Sequence, residues 1–120
     1  MTDNVRYHED LKRIMDEYVH CVYACTRRFP KEELYGSTSQ LRRAALSVVL
    51  NSIEGYARQR NAVLRNFLEI AYGSLKESVY LLDFSLKEGY LSRADYERAT
   101  SLANRIGAML WGTLKNLRSP

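Results

Sequence analysis

Apolar residues recur at helical spacing along most of this chain. Leu11, Ile14, Tyr18, Val22, Cys25 and Phe29 step by three and four residues, which gathers them on one face and predicts a first helix over residues 7–29. The stretch from Phe29-Pro30 to Gly36 ends it, because the residue before proline is turned away from helical geometry and glycine admits a turn closed to other residues. Ser37 or Thr38 is placed to cap a second helix, and Ser37 with Gln40 has capping-box spacing, so that helix is predicted over 38–58. Its middle is apolar nearly all round, with Ser47, Asn51 and Ser52 as the polar interruptions. Such a helix is expected to be buried on more than one side, either centrally in a bundle or at a subunit interface.

Asn61 can cap a third helix over 62–88, where Leu64, Leu68, Ala71, Leu75, Leu82 and Leu86 form one stripe and Phe67, Ile70, Leu81 and Phe84 a second. Two stripes exceed what one intramolecular face needs. Gly89 stops this helix, and Ser92 with Asp95 opens a fourth over 93–117, with Tyr96, Ala99, Leu102, Ile106, Met109, Thr113 and Leu117 as its stripe. Gly73, inside the third helix, and Gly107 and Gly112, inside the fourth, are expected to mark close approaches of neighbouring helices. No strand-like alternation, repeat or low-complexity segment interrupts the pattern. The expected fold is all-α: one domain over 1–120, an antiparallel up-down-up-down four-helix bundle.

Composition agrees, since 120 residues with 46% hydrophobic and 27% charged side chains suit one compact core. Eighteen Lys and Arg against fourteen Asp and Glu give a net charge of +4, unevenly spread: residues 37–61 and 92–120 each carry +3, while 1–36 and 62–91 each carry −1. The second and fourth helices are therefore the basic ones. Arg42, Arg43, Arg58 and Arg60 flank the apolar middle of the second helix, Arg65 follows at the start of the third, and Arg98 and Arg105 share one side of the fourth. Converging, they would make a phosphate-binding surface; otherwise they are solvated rims of amphipathic helices. The apolar run from Ala44 to Leu50 is too short to span a bilayer, and the opening Met1-Thr2-Asp3-Asn4 is not a secretion signal. A cytoplasmic protein without a membrane role is expected.

Candidate chemistry is sparse. Glu17 and His20 have the Glu-x-x-His spacing of di-iron bundles, but the second such unit is missing and His8 is the one other histidine, so no metal site is expected. Cys21 and Cys25 lie one helical turn apart, farther than a disulfide within an intact helix allows; Cys25 falls in the apolar stripe and Cys21 beside it. Phosphate-loop, serine-hydrolase and zinc-protease motifs are absent. Glu54 is a formal candidate base, although an ion pair with Arg58, four residues on, is the simpler role. Nine tyrosines and Trp111 suit core edges and subunit contacts better than base stacking, since they recur on helices rather than on a sheet. No enzyme activity and no cofactor are expected.

Four segments carry a family resemblance. Residues Thr26 to Ala45, Thr-Arg-Arg-Phe-Pro-Lys-Glu-Glu-Leu-Tyr-Gly-Ser-Thr-Ser-Gln-Leu-Arg-Arg-Ala-Ala, closely resemble the first connection and second helix of the four-helix-bundle proteins encoded in 23S rRNA intervening sequences of bacteria. Asn51-Ser52-Ile53-Glu54-Gly55-Tyr56-Ala57-Arg58 is similar to the family's Asn-Ile-Ala-Glu-Gly-Phe-Gly-Arg segment. Ala71-Tyr72-Gly73-Ser74-Leu75-Lys76-Glu77 and Gly89-Tyr90-Leu91 resemble two further family segments, and the likeness runs from about residue 26 to 117 in register. Val49 and Leu50 stand where the family often has Pro and Ser, and a Trp-containing start of the first helix is absent.

The resemblance implies a homo-oligomeric, typically pentameric, bundle with no established enzymatic activity. It further implies RNA or DNA as a partner through Arg42, Arg43, Arg58 and Arg65, and a reverse transcriptase where a member accompanies a diversity-generating retroelement. The expected function is thus a non-enzymatic homo-oligomer presenting a basic surface to nucleic acid. The alternative is a structural or protein-interaction scaffold that binds none.

Overall fold

The computed structural model describes residues 3–117; Met1 and Thr2 of the polar opening and residues 118–120 of the predicted domain lie outside that range. Four helices make up the described chain: α1 (Asp3–Thr26), α2 (Ser39–Tyr56), α3 (Asn61–Lys87) and α4 (Arg93–Asn116). Each packs against two others, α1 and α3 both touching α2 and α4, so the helices form a square with α1 opposite α3 and α2 opposite α4. Paired residues show the directions. Thr26 meets Arg42 near one end of α1–α2 while His8 meets Tyr56 at the other, and Ser47 meets Ser74 while Gly55 approaches Phe67. Tyr7 reaches Met109, and Tyr96 reaches Asp83, so every neighbouring pair is antiparallel. The result is an all-α up-down-up-down bundle measuring 47 × 24 × 21 Å.

The first-helix stripe is buried whole and most of the third-helix stripe with it, Leu64 and Leu86 being half-buried. α4, in contrast, is rotated from its predicted face: Ala103, Leu110 and Leu114 join Ala99 and Ile106 in the core, and Tyr96, Leu102, Met109, Thr113 and Leu117 lie half-buried at its edge. Leu11, Ile14, Tyr18, Val22, Cys25 and Phe29 are all buried, facing Leu41, Ala45 and Val48 of α2, Leu68, Ala71, Leu75 and Leu82 of α3, and Ala99, Ala103, Ile106 and Leu110 of α4. Full burial of each large aliphatic side chain contributes roughly 1.5–3 kcal/mol, which far exceeds what helix propensity supplies in this chain. Tyr18 places its hydroxyl in this core, 2.7 Å from Ser78 Oγ. Ser78 donates its own hydrogen to the Leu75 carbonyl, so Tyr18 is the donor of the pair and neither hydroxyl is left unsatisfied.

Helix ends show where local chemistry departs from the sequence reading. α1 stops at Thr26, three residues before Phe29, and the chain leaves it through hydrogen bonds from Arg28 to Cys25 and from Phe29 to Thr26. A 3₁₀ turn, Lys31–Glu33, and a wide turn, Leu34–Thr38, then lead into α2. Ser37 and Thr38 were the expected caps, yet neither side chain caps α2. α2 begins without any side-chain cap; Glu33 instead caps the wide turn before it, its Oε1 accepting from the Ser37 amide at 3.2 Å and the Ser37 hydroxyl at 2.6 Å. A carboxylate also suits the positive end of the helix dipole. Asn61 is likewise not a cap: it is the first residue of α3, after Arg60 in extended geometry.

Two expected ends do form. Ser92 accepts from the Asp95 amide at 3.1 Å. Gly89, with φ of 81°, closes α3 in a Schellman motif, in which the Tyr90 amide bonds to the Ser85 carbonyl and the Gly89 amide to the Leu86 carbonyl. The Tyr90 ring then folds back against Phe84. Gly73 marks no close approach, since a Cβ there would meet nothing within 4 Å; the tight contact is at Gly55, where a Cβ would lie 3.0 Å from Phe67 Cβ and 3.1 Å from Leu64 Cδ1.

Candidate nucleic-acid interface

The four arginines singled out from the sequence occupy two places rather than one. Arg42 and Arg43 lie in the first turn of α2, and Arg58 follows its last turn, about 22 Å away at 1.5 Å per helical residue. Arg65 joins Arg58, because α3 runs back antiparallel from the short connection at that end. The set is thus two pairs at opposite ends of the α2–α3 hairpin. These four arginines form no single convergent patch within the chain.

Their surroundings differ as well. Arg42 is half-buried in the α1–α2 seam, its Nε donating to Thr26 Oγ1 at 2.7 Å while its guanidinium lies 4.6 Å from the centre of the Tyr23 ring. This residue fastens α2 to the end of α1 and presents little to a ligand. Arg43, the next residue, is exposed and forms no ion pair among the described residues. It borders an open groove of about 400 Å³ between α2 and α3, together with Gln40, Ser47, Ser74 and Glu77. At the far end Arg58 pairs with Glu54 at 2.6 Å and stacks over Phe67, 5.4 Å from the ring centre. Arg65 lies 3.7 Å from Glu69. Both pairs are about half exposed, and exposed ion pairs contribute only about 0–1 kcal/mol, so a phosphate can replace either carboxylate at little cost.

Between the two arginine pairs runs a feature that periodicity signalled only as surplus. Leu46, Leu50, Ile53 and Ala57 step by four, three and four along α2, on the side opposite its buried residues Leu41, Ala45 and Val48. Leu50 is 60% and Ile53 47% exposed. Arg43 stands seven residues before Leu50 and so shares its side of the helix. Ile70 of the predicted second stripe on α3 is also 45% exposed, whereas Phe67, Leu81 and Phe84 are half-buried. The polar interruptions of α2 have a separate use: Asn51 Nδ2 donates to Ser47 Oγ and to the Ser47 carbonyl, both at 2.9 Å, and Ser47 Oγ lies 2.7 Å from Ser74 Oγ. Sequence reasoning missed that ladder and missed Thr26 as the acceptor for Arg42.

The other tested constellations stay small. His20 points to Asp16, at 3.4 Å, not to Glu17, and both are well exposed. Among the described residues no three His, Cys, Asp or Glu side chains cluster in a way that could hold a metal ion. Glu54 is engaged by Arg58, the ion pair its spacing predicted. No described helix is long and apolar enough to cross a membrane.

Comparison with known proteins gives a consistent picture. A crystal structure of a protein with unknown function from the S23 ribosomal protein family of Bacteroides thetaiotaomicron VPI-5482 is similar in fold, with a TM-score of 0.84 and 22% sequence identity over 91% of this chain and 98% of that one. No curated protein matches the sequence. The family model for the 23S rRNA-intervening sequence protein matches residues 10–112, nearly the whole bundle. With four antiparallel helices and that match across them, the chain belongs to the 23S rRNA-intervening sequence protein family.

Proposed function

We propose that this protein is a non-enzymatic homo-oligomer, a pentamer as the family resemblance implies, that binds RNA or DNA phosphates through arginines at the two rims of the assembly. The observation that carries the reading is the exposed Leu50 and Ile53 on α2, continued by half-buried Leu46 before them and exposed Ala57 just past the helix, and flanked by Arg43 at one end and Arg58 at the other. An apolar helix face of this kind is what a subunit interface requires. Association repeats each arginine pair once per subunit, and multivalency then raises phosphate affinity without any new contact. Arg43, Arg58 and Arg65 are the phosphate ligands in this scheme, and Arg42 is the residue that positions the start of α2. A reverse transcriptase is a further partner if the gene neighbours a retroelement, and the compartment is the cytoplasm.

A scaffold without nucleic-acid binding is the second reading, favoured by the engagement of Arg42, Arg58 and Arg65 inside the protomer. Light scattering with and without a pool of structured RNA and DNA, at low and moderate salt, separates the two. The proposal expects an oligomer near five subunits that gains mass with nucleic acid and loses it as salt rises. An oligomer that gains no mass leaves the scaffold; a monomer removes both the interface and the rims.

A further inference from the structure

The open groove of about 400 Å³ between the start of α2 and the middle of α3 holds polar groups that the fold itself leaves unused. Ser47 meets Ser74 at one end of it, and because the helices are antiparallel, four residues back along α2 and three on along α3 lead the same way. At 1.5 Å per residue, Arg43 and Glu77 therefore stand about 4–6 Å beyond the serines, one on each wall. Both are exposed, and neither forms an ion pair or hydrogen bond among the described residues, with the other or with a third group. Ala44 and Leu81 supply the apolar lining between them.

The serines add a donor. Asn51 Nδ2 donates to Ser47 Oγ at 2.9 Å, and one hydroxyl hydrogen bridges Ser47 and Ser74 at 2.7 Å. Two hydroxyls carry two hydrogens, and the second has no acceptor among the described residues. The bond arriving from Asn51 polarises Ser47 toward donating to Ser74, which leaves the unused hydrogen on Ser74. Ser74 and Glu77, three residues apart, share one face of α3 with Cβ atoms about 5–6 Å from each other. Side by side they offer a donor and then the two acceptors of a carboxylate. The Watson–Crick edge of guanine carries the complementary order, the O6 acceptor followed by the N1 and N2 donors. Adenine, cytosine and uracil each present a single donor group on that edge.

We propose that, within the nucleic-acid reading on which this assignment rests, the α2–α3 groove takes one unpaired guanine. Glu77 accepts from N1–H and the 2-amino group, Ser74 donates to O6, and Arg43 on the opposite wall holds a phosphate of the same strand. Phosphate contacts position a strand and base-edge contacts select it, so the carboxylate is the selective element here. The volume falls within the ordinary range of small-ligand sites, about 300–1,000 Å³. A guanine read on this edge has no pairing partner, so the ligand is a single strand, loop or bulge rather than a continuous duplex. Association centred on Leu50 and Ile53 would place the groove at the Arg43 rim, one guanine to each subunit.

Fluorescence anisotropy of the full-length protein with labelled octauridylate tests the assignment, against the same strand carrying one central guanosine, adenosine or inosine, at low and moderate salt. The guanosine strand should bind about fivefold tighter or more, the least that a bidentate base contact gives. Inosine, which lacks the 2-amino group, should fall between guanosine and octauridylate, and adenosine should match octauridylate. Added salt should weaken all four strands and leave their ratios unchanged, because counterions are released by phosphate contacts. Glu77→Gln alters an exposed side chain without a partner and should fold. General electrostatics would make this variant bind every strand more tightly alike; the groove instead predicts that the guanosine advantage falls below about twofold while octauridylate binding holds or strengthens. Four equal affinities with the salt dependence intact would overturn the guanine site and leave the phosphate reading standing, whereas no binding of any strand would overturn both. A guanosine advantage that survives Glu77→Gln, or an inosine strand equal to the guanosine one, would likewise overturn the assignment.

Discussion

The Tyr18 hydroxyl donates to Ser78 Oγ at 2.7 Å and so joins α1 to α3 across the diagonal of the bundle, between helices that otherwise scarcely touch. Burial pushes the Tyr18 pKa up from about 10 to about 12. The folded value lies above the unfolded one, so this contribution to stability is complete below pH 10 and is lost as the pH rises from 10 to 12. At 1.36 kcal/mol per pH unit the loss is about 2–3 kcal/mol. Tyr18→Phe should cost about 1 kcal/mol at pH 7 through the missing hydrogen bond, yet lose stability less steeply above pH 10. Urea unfolding of both proteins from pH 7 to 11.5 checks this; parallel curves would contradict it.

Two glycines should respond to alanine with opposite signs. Gly55→Ala forces a Cβ to within 3.0 Å of Phe67 Cβ and should destabilise by about 1–3 kcal/mol. Gly73→Ala meets nothing and should stabilise by about 0.5–1 kcal/mol through reduced backbone entropy. Denaturant midpoints measured side by side decide it, and equal shifts would mean that α2 and α3 are not packed as closely as described.

In the turn that leads into α2, Glu33→Ala removes the acceptor for both the Ser37 amide and its hydroxyl. A loss of about 0.5–2 kcal/mol is expected, as for other N-terminal caps. Glu33→Gln keeps an acceptor oxygen and should recover part of it. Ser37→Ala should cost less than Glu33→Ala, since the amide bond survives; the reverse order in thermal or chemical unfolding would return the capping role to Ser37.

Leu50→Glu places a charge at the centre of the α2 stripe, where the side chain is 60% exposed within the protomer. Its folding in the monomer should therefore change by less than about 0.5 kcal/mol. The proposed oligomer, in contrast, should dissociate. Sedimentation velocity at several concentrations reads both states. An unchanged assembly would exclude α2 as the interface. For the proposed nucleic-acid binding, Arg43→Glu should flatten the salt dependence by about 0.9 in the logarithmic slope for each phosphate that the variant no longer neutralises.

Much of the bundle was legible because helical periodicity reports burial directly. The stripe from Leu11 to Phe29 and the stop at Gly89 both depend on local spacing and on one backbone conformation that glycine tolerates. Glu33 was not legible as a cap, because a carboxylate reaching forward from a 3₁₀ turn has no fixed spacing, whereas Ser37 and Gln40 matched a motif by accident. Gly73 and Gly55 look alike in the chain, and only the rotation of α2 against α3 decides which one a neighbour crowds. The arginines were visible as charges, but their division into two ends follows from antiparallel packing, and the capture of Arg42 by Thr26 is a tertiary contact across sixteen residues.

The crowding at Gly55 bears on the order in which the chain assembles. It sits just before the short connection between α2 and α3, so this close interhelical approach is also among the most local in sequence. Closing so short a loop costs little entropy, and contacts of low sequence separation form early. The α1–α2 connection is longer, and the Tyr18–Ser78 bond spans sixty residues. Nucleation in the α2–α3 hairpin, with α1 docking last, is therefore expected. It should appear as high φ values for small deletions near Leu68 and Val48 and low ones at Ile14 and Val22 in stopped-flow refolding.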